Sequence, residues 1–348
     1  MKKLIAVIIV CLLPVCASAE ASLGINQPMD KADGWVQIVE NSPFPLGETV
    51  EKSYGSVMYR ETAYGDYPSL DGSTVSVPMA REFARQHLNL QEIELDAFVR
   101  FSTTHDAYVN LIEKKPNLGA ELILTGSVME ERRPVDIFIG TEPSDEELAL
   151  AEANGVKLTI TPVCYDAFVF IVHKDNPIES LTVEQIRSIY AGEICYWSDV
   201  GIDVFEEEDA DMLRAYTRQR NSGSQTAMEN LVMNGKPMAE AMLNVYQVYE
   251  MSTLVRHVGE YENGTGALGY TYKFYINTLY KDEGIKTIGI DGIEPTEENI
   301  RSGVYPFATC YYAVTREGEN EEFVQWMKSE EGQKCIQQAG YMPYMAGV

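Results

Sequence analysis

The sequence is short of basic charge, of histidine and of paired cysteine motifs. Over 348 residues, 27 Lys+Arg stand against 53 Asp+Glu, a formal charge of -26. Nucleic-acid affinity comes from basic patches that release counterions, so this balance argues against a polyanion binder. One small anion is not excluded, because a buried site feels nearby dipoles more than distant surface charge. The four histidines (His87, His105, His173, His257) are scattered and no C-x-x-C occurs. A zinc site is therefore not expected, and no metal or cofactor is called for. No G-x-S-x-G elbow is present, and nothing brings a nucleophile to a histidine and an acid, so catalysis has no positive sign. Internal repeats and low-complexity tracts are also missing. After the first residues, no apolar run is long enough to span a bilayer.

Apolar residues at 45% and charged residues at 23% describe a folded globule rather than a disordered chain. At roughly 150 residues per domain, the length suggests about two domains. Lys2 and Lys3, the apolar run Leu4 to Cys16, and Ala17-Ser18-Ala19 read as a signal peptide over 1–19. Cleavage there leaves 329 residues with a charge of -28. Lipoprotein processing at Cys16 is the less favoured alternative, since Val15 sits where a small residue is normally required. The expected location is periplasmic or extracytoplasmic. Cys164, Cys195, Cys310 and Cys335 then remain in an oxidising compartment, which allows three full pairings that the sequence does not choose among.

Residues 20–67 read as a polar, irregular N-terminal extension. Helical runs are expected over Met79–His87, from about Asp106 to Glu113, after the capping boxes Ser144/Glu147 and Thr182/Gln185, and over Ser252–Tyr261. Strands are expected at Ala97–Phe101, Ile137–Ile139, Leu158–Val172 and Leu268–Tyr275. Strands alternating with helices indicate α/β architecture with mainly parallel sheets. Gly264-Thr-Gly-Ala-Leu-Gly269 fits G-x-G-x-x-G but has a helix before it and a strand after it. A dinucleotide site needs the reverse order, so this is a turn. The acidic run Glu206–Asp211 does not have calcium-loop spacing and reads as a solvated charge run.

Hydroxyl-rich turns recur at expected helix starts: Gly72-Ser73-Thr74, Ser102-Thr103-Thr104 and Ser222-Gly223-Ser224-Gln225-Thr226. Free backbone N–H groups and a partial positive charge suit an anion at such positions, although each turn taken alone reads as an ordinary cap. Arg220, four residues before Ser224, could offer a planar fork to an oxyanion.

The ordered motifs resemble the phosphate-binding proteins of ABC transporters. They run from Asp166–Pro177 through Leu181–Ile186, Tyr190–Glu193 with Trp197, Arg220–Thr226 and Gly266–Tyr270 to Ser329–Gln333. The resemblance covers roughly residues 70 to 345. It implies a two-lobed type II periplasmic-binding-protein fold with the ligand cleft between the lobes. Lobe one would be 68–162 plus 306–348 and lobe two 163–305, with crossings near Pro162 and Pro306. The implied ligand residues are Ser73, Thr74, Ser102, Thr103, Thr104, Glu142, Arg220, Ser224, Gln225 and Thr226. Gln225 departs from the family pattern by replacing a glycine, and Ser102–Thr104 lacks the usual glycines. The implied function is capture of inorganic phosphate for an ABC permease, by a monomer and without catalysis. The alternatives are a binder or sensor for another oxyanion and a secreted phosphate-ester hydrolase. Cys164 and Cys310 are expected to lie close together, bonded or not.

Overall fold

The computed structural model describes residues 6–8, 35–44, 49–54, 57–62, 66–88, 90, 92–117, 133–202, 211–239, 245–260 and 265–344. Most of the expected leader and residues 206–210 of the acidic run lie outside them. The chain forms two compact units: Met1–Gly140, Ala149–Val163 and Ala313–Val348 make the first, and Thr141–Leu148 and Cys164–Tyr312 the second.

In the first unit, β1 (Ala6–Ile8), β2 (Thr49–Tyr54) and β3 (Val57–Thr62) form an antiparallel sheet, with β2 and β3 in register from Thr49↔Thr62 to Tyr54↔Val57. The extension is thus not irregular throughout. Two runs rich in Thr, Val and Tyr flank Gly55-Ser56, which is a hairpin pattern. Strand β4 (Leu70–Gly72) lies parallel to β5 (Ile137–Gly140). The helix Val77–Leu88 buries Met79, Ala80, Phe83, Ala84 and Leu88 on one face and packs on the helix Glu330–Gln338.

No strand forms over Ala97–Phe101: Ala97 and Phe98 end the helix Glu92–Phe98, and residues 99–101 are irregular. Glu92 and Asp96 stand one turn apart on this helix. Arg81 holds both, and Arg85 holds Glu92 at 2.8 Å, while Leu95 is fully buried. Pairing to the neighbouring helix therefore overrides the local apolar run.

Strand β6 (Leu158–His173) passes from the first unit into the second. There follow β7 (Ser180–Leu181), β8 (Arg214–Arg218), β9 (Val245–Val248), β10 (Ala267–Tyr272) and β11 (Ile285–Ile290). Strand β12 (Ala308–Arg316) returns to the first unit, and β13 (Met342–Pro343) pairs with β6. Within the second unit the order is β12-β6-β10-β8-β9. The sheet is mixed rather than mainly parallel: β8 is parallel to both β9 and β10, but β10 and β11 run antiparallel to β6.

Both capping boxes form. Thr182 and Gln185 exchange bonds of 2.8 and 3.1 Å, and Ser144 and Glu147 bonds of 2.8 and 3.3 Å. The glycine-rich segment runs from the helix Met251–Gly259 into β10. A Cβ on Gly269 would lie 2.6 Å from Leu254 Cδ2, so this glycine lets the helix approach the strand. Cys164 and Cys310 sit on the neighbouring strands β6 and β12, and Cys164, Cys195, Cys310 and Cys335 are free thiols.

Candidate functional site

In the second unit, β8 ends at Arg218 and the chain turns through Asn221, whose φ is 60°. Ser222 then caps a helix by accepting from the Gln225 N–H at 3.3 Å. This helix, Gly223–Ala227, widens into a π-helix over Met228–Met233. Ser224, Gln225 and Thr226 are all buried. Gln225 does not present its amide as a free group. Its Oε1 accepts from the Arg218 N–H at 3.1 Å and from the Tyr270 hydroxyl, and its Nε2 donates to Glu229 at 2.9 Å. The bulk added at this position therefore ties the loop to β10.

Arg220 is 78% exposed, with its Nε 3.6 Å from Glu146. Asn221 donates to the same carboxylate at 2.8 Å. Arg218, by contrast, is half-buried. Its Nη1 lies 3.4 Å from Ser224 Oγ and its Nη2 donates to the Tyr249 carbonyl at 2.7 Å.

Glu142 and Thr226 line one cavity of about 370 Å³ in this unit, together with Tyr165, Tyr272, Cys310 and Tyr312. Glu142 follows directly on Thr141 at the end of β5, just before the capped helix Asp145–Ala153. Burial raises the Tyr312 phenol, and its hydrogen bond to Glu142 raises it further. Tyr312 is thus held as a neutral donor to that carboxylate. Tyr272 donates to the Gly223 carbonyl at 3.2 Å, which fixes the floor of the helix start. Burial and the Glu142 and Asp166 carboxylates push the Cys310 thiol up to about 12, so it is a poor nucleophile.

In the first unit, Ser73 precedes a 3-10 turn (Thr74–Ser76) that runs into the helix Val77–Leu88, and its side chain makes no capping bond. Thr74 is exposed. Thr103 caps the helix Thr104–Ile112 by accepting from Asp106 N. Ser102 gives its hydroxyl to buried Asp71 at 2.9 Å. Two polar residues close to these turns, Asp71 and Arg218, were not singled out by the sequence. The available signals were an acid inside the buried strand Leu70–Gly72 and the alternation Arg214, Tyr216, Arg218. Among the described residues, no group of three His, Cys, Asp or Glu side chains is placed to hold a metal.

The PBP superfamily domain matches residues 91–331. The chain belongs to the PBP superfamily. Among curated relatives of this PBP-superfamily chain, the phosphate-binding protein PstS of Pseudomonas aeruginosa is 26% identical over 227 residues, 59% of this chain and 66% of the relative. PstS of Staphylococcus saprophyticus is 27% identical over 232 residues, covering 64% and 67%. The chain thus spans about two thirds of the length of these relatives.

Two solved structures cover 79% of this chain, each with a TM-score of 0.54. One is an ABC-type phosphate transport receptor from Vibrio cholerae, 20% identical and covered to 99%. The other is a putative phosphate ABC transporter substrate-binding protein with bound phosphate from Clostridium perfringens, 22% identical and covered to 98%. At these identities the likeness shows the fold, which is the α/β type II periplasmic-binding-protein architecture.

Proposed function

We propose that this chain captures inorganic phosphate outside the cytoplasmic membrane and delivers it to an ABC permease, without catalysing a reaction. The observation that carries the reading is the meeting of Glu142 and Thr226 in one cavity that Gly223, the first residue of the helix after the arginine loop, also lines. A hydroxyl and backbone N–H groups donate to an oxyanion, while a carboxylate accepts from an oxyanion that still carries a proton. Phosphate near neutral pH offers both kinds of oxygen. The names of the relatives agree with this chemistry.

Arg220, Ser224 and Thr226 serve as donors in the second unit. Ser73, Thr74, Thr103 and Thr104 serve in the first, with Ser102 held in place by Asp71. The basic, apolar and small-residue order of 1–19 supports export by a cleaved leader. Among the described residues no helix is long and apolar enough to cross a membrane.

The test is thermal unfolding with and without phosphate. A ligand bound only by the folded state raises the midpoint progressively once its concentration exceeds Kd. A midpoint that stays fixed up to millimolar phosphate overturns the reading.

A further inference from the structure

Arg218 is a cation in an unusual position. It closes β8 five residues before Gly223, and its side chain is half-buried against Tyr249 and Ser224. Its Nε is buried and makes no hydrogen bond. Its Nη2 is spent on the Tyr249 carbonyl at 2.7 Å, but Nη1 has only a long contact, 3.4 Å, to Ser224 Oγ. Among the described residues no carboxylate forms an ion pair with it. The charged or titratable groups that act on it are Tyr270, Tyr275 and Glu250, and burial outweighs them, lowering its pKa. The other arginine of the loop is in the opposite situation. Arg220 is 78% exposed and already faces Glu146.

A guanidinium taken out of water without a counter-ion costs free energy, because neutral hydrogen-bond partners replace hydration only in part. Proteins keep such a charge where something else completes it. Arg218 still has a fork direction open at Nη1 and shares Ser224 with the loop assigned to the anion. A planar guanidinium with one arm free is well suited to a tetrahedral oxyanion.

Building on the phosphate-capture reading above, we propose that Arg218 is a second guanidinium ligand of the bound oxyanion, holding it on the Ser224 side of the loop, and that its charge is completed only when the anion arrives. Arg220 then presents the first guanidinium from its place beside Glu146. Arg218 does two things at once: its Nη2 fixes the Tyr249 backbone, and its Nη1 donates to the anion beside Ser224.

The test compares wild type with Arg218→Met, which keeps side-chain length and removes the charge. Two measurements are made, the thermal midpoint without ligand and the phosphate affinity by calorimetry. The expected result is a ligand-free midpoint equal to or above wild type, with phosphate affinity weakened about ten- to a hundredfold, the loss typical of one charge-assisted bond. Arg218→Lys is expected to fall between the two, since it keeps charge without the fork.

Phosphate affinity unchanged in Arg218→Met overturns the inference and leaves the proposed function standing. An equally folded Lys variant as weak as the Met variant also overturns it, because Arg218 would then act by shape alone. A wild type that binds neither phosphate, sulfate nor molybdate removes the proposed function and this inference together. If Arg218→Met does not fold, Arg218→Gln gives the same comparison with a neutral polar side chain.

Discussion

Both polar hydrogens of Ser102 go to one side chain: its backbone N–H donates to Asp71 Oδ1 at 2.8 Å and its hydroxyl to Asp71 Oδ2 at 2.9 Å. Gly72 N and Asn110 Nδ2 add two more donors, at 2.8 and 3.2 Å. Burial raises the Asp71 carboxyl, and these four bonds pull it back. The second hydroxyl turn is therefore shaped by a buried acid one strand away. Asp71→Ala leaves buried donors without an acceptor and is expected to cost about 2–4 kcal/mol in urea unfolding, with Asp71→Asn losing less. An Ala variant as stable as wild type would contradict this account of the turn.

Gly72 lies beside the same acid, against β5. A Cβ there would sit 2.0 Å from the Ile139 carbonyl oxygen, which is backbone and cannot rotate away. Gly72→Ala is expected to cost several kcal/mol, more than an ordinary surface substitution by far. Its readout is the unfolding midpoint, and a shift no larger than that of an exposed Gly→Ala change would mean that β4 gives way easily.

The pH dependence of stability holds two opposed contributions. Burial pushes the Asp166 carboxyl up to about 6, despite bonds from Tyr311, Ala167 and Phe274. The folded state thus holds this proton when the unfolded chain has lost it, so stability falls as pH rises from about 4 to 6. Burial pulls His87 down to about 4, among Phe44, Tyr67, Phe323 and Trp326. The folded state then lacks a proton that the unfolded chain binds, so stability rises from about pH 4 to 6.5. Each amounts to about 3 kcal/mol, and the two largely offset. Asp166→Asn is expected to leave a profile rising with pH, and His87→Phe one that falls. Parallel profiles in the two variants would contradict both assignments.

The parts of the fold that depend on local chemistry were legible in the residues. Ser144/Glu147 and Thr182/Gln185 specify their own helix starts, because each box satisfies backbone donors within four residues. The β-rich run expected over Leu158–Val172 is the strand Leu158–His173, open to solvent at its start and buried from Asp166 onward. What escaped depends on distant partners. The segment ending at Phe98 is helical because Arg81 and Arg85, on another helix, hold Glu92 and Asp96. The antiparallel pairing of β10 and β11 with β6 is a choice of topology that no local pattern encodes. At the site, the hydroxyl turns announce themselves by composition, but the orientation of each side chain does not. Gln225 faces Tyr270 and Arg218, and the half-buried arginine is Arg218, the last residue of β8, rather than Arg220 in the turn beyond it.

Glu142 should decide which oxyanion is preferred. Its carboxylate can accept the proton that phosphate carries near neutral pH, whereas a sulfate oxygen would meet it with no proton between them. Glu142→Gln is expected to shrink the preference for phosphate over sulfate, since an amide can donate to either. A variant that keeps the wild-type ratio and loses only thermal stability would make Glu142 a helix-start residue, acting with Asp145 and Glu146.

Calorimetric titration of the wild-type protein with phosphate, sulfate and molybdate in turn tests oxyanion capture most directly. The account predicts saturable one-to-one binding of phosphate, weaker binding of sulfate, and no turnover of a phosphate monoester. Absence of binding heat with all three anions, or steady release of phosphate from a monoester, would contradict it.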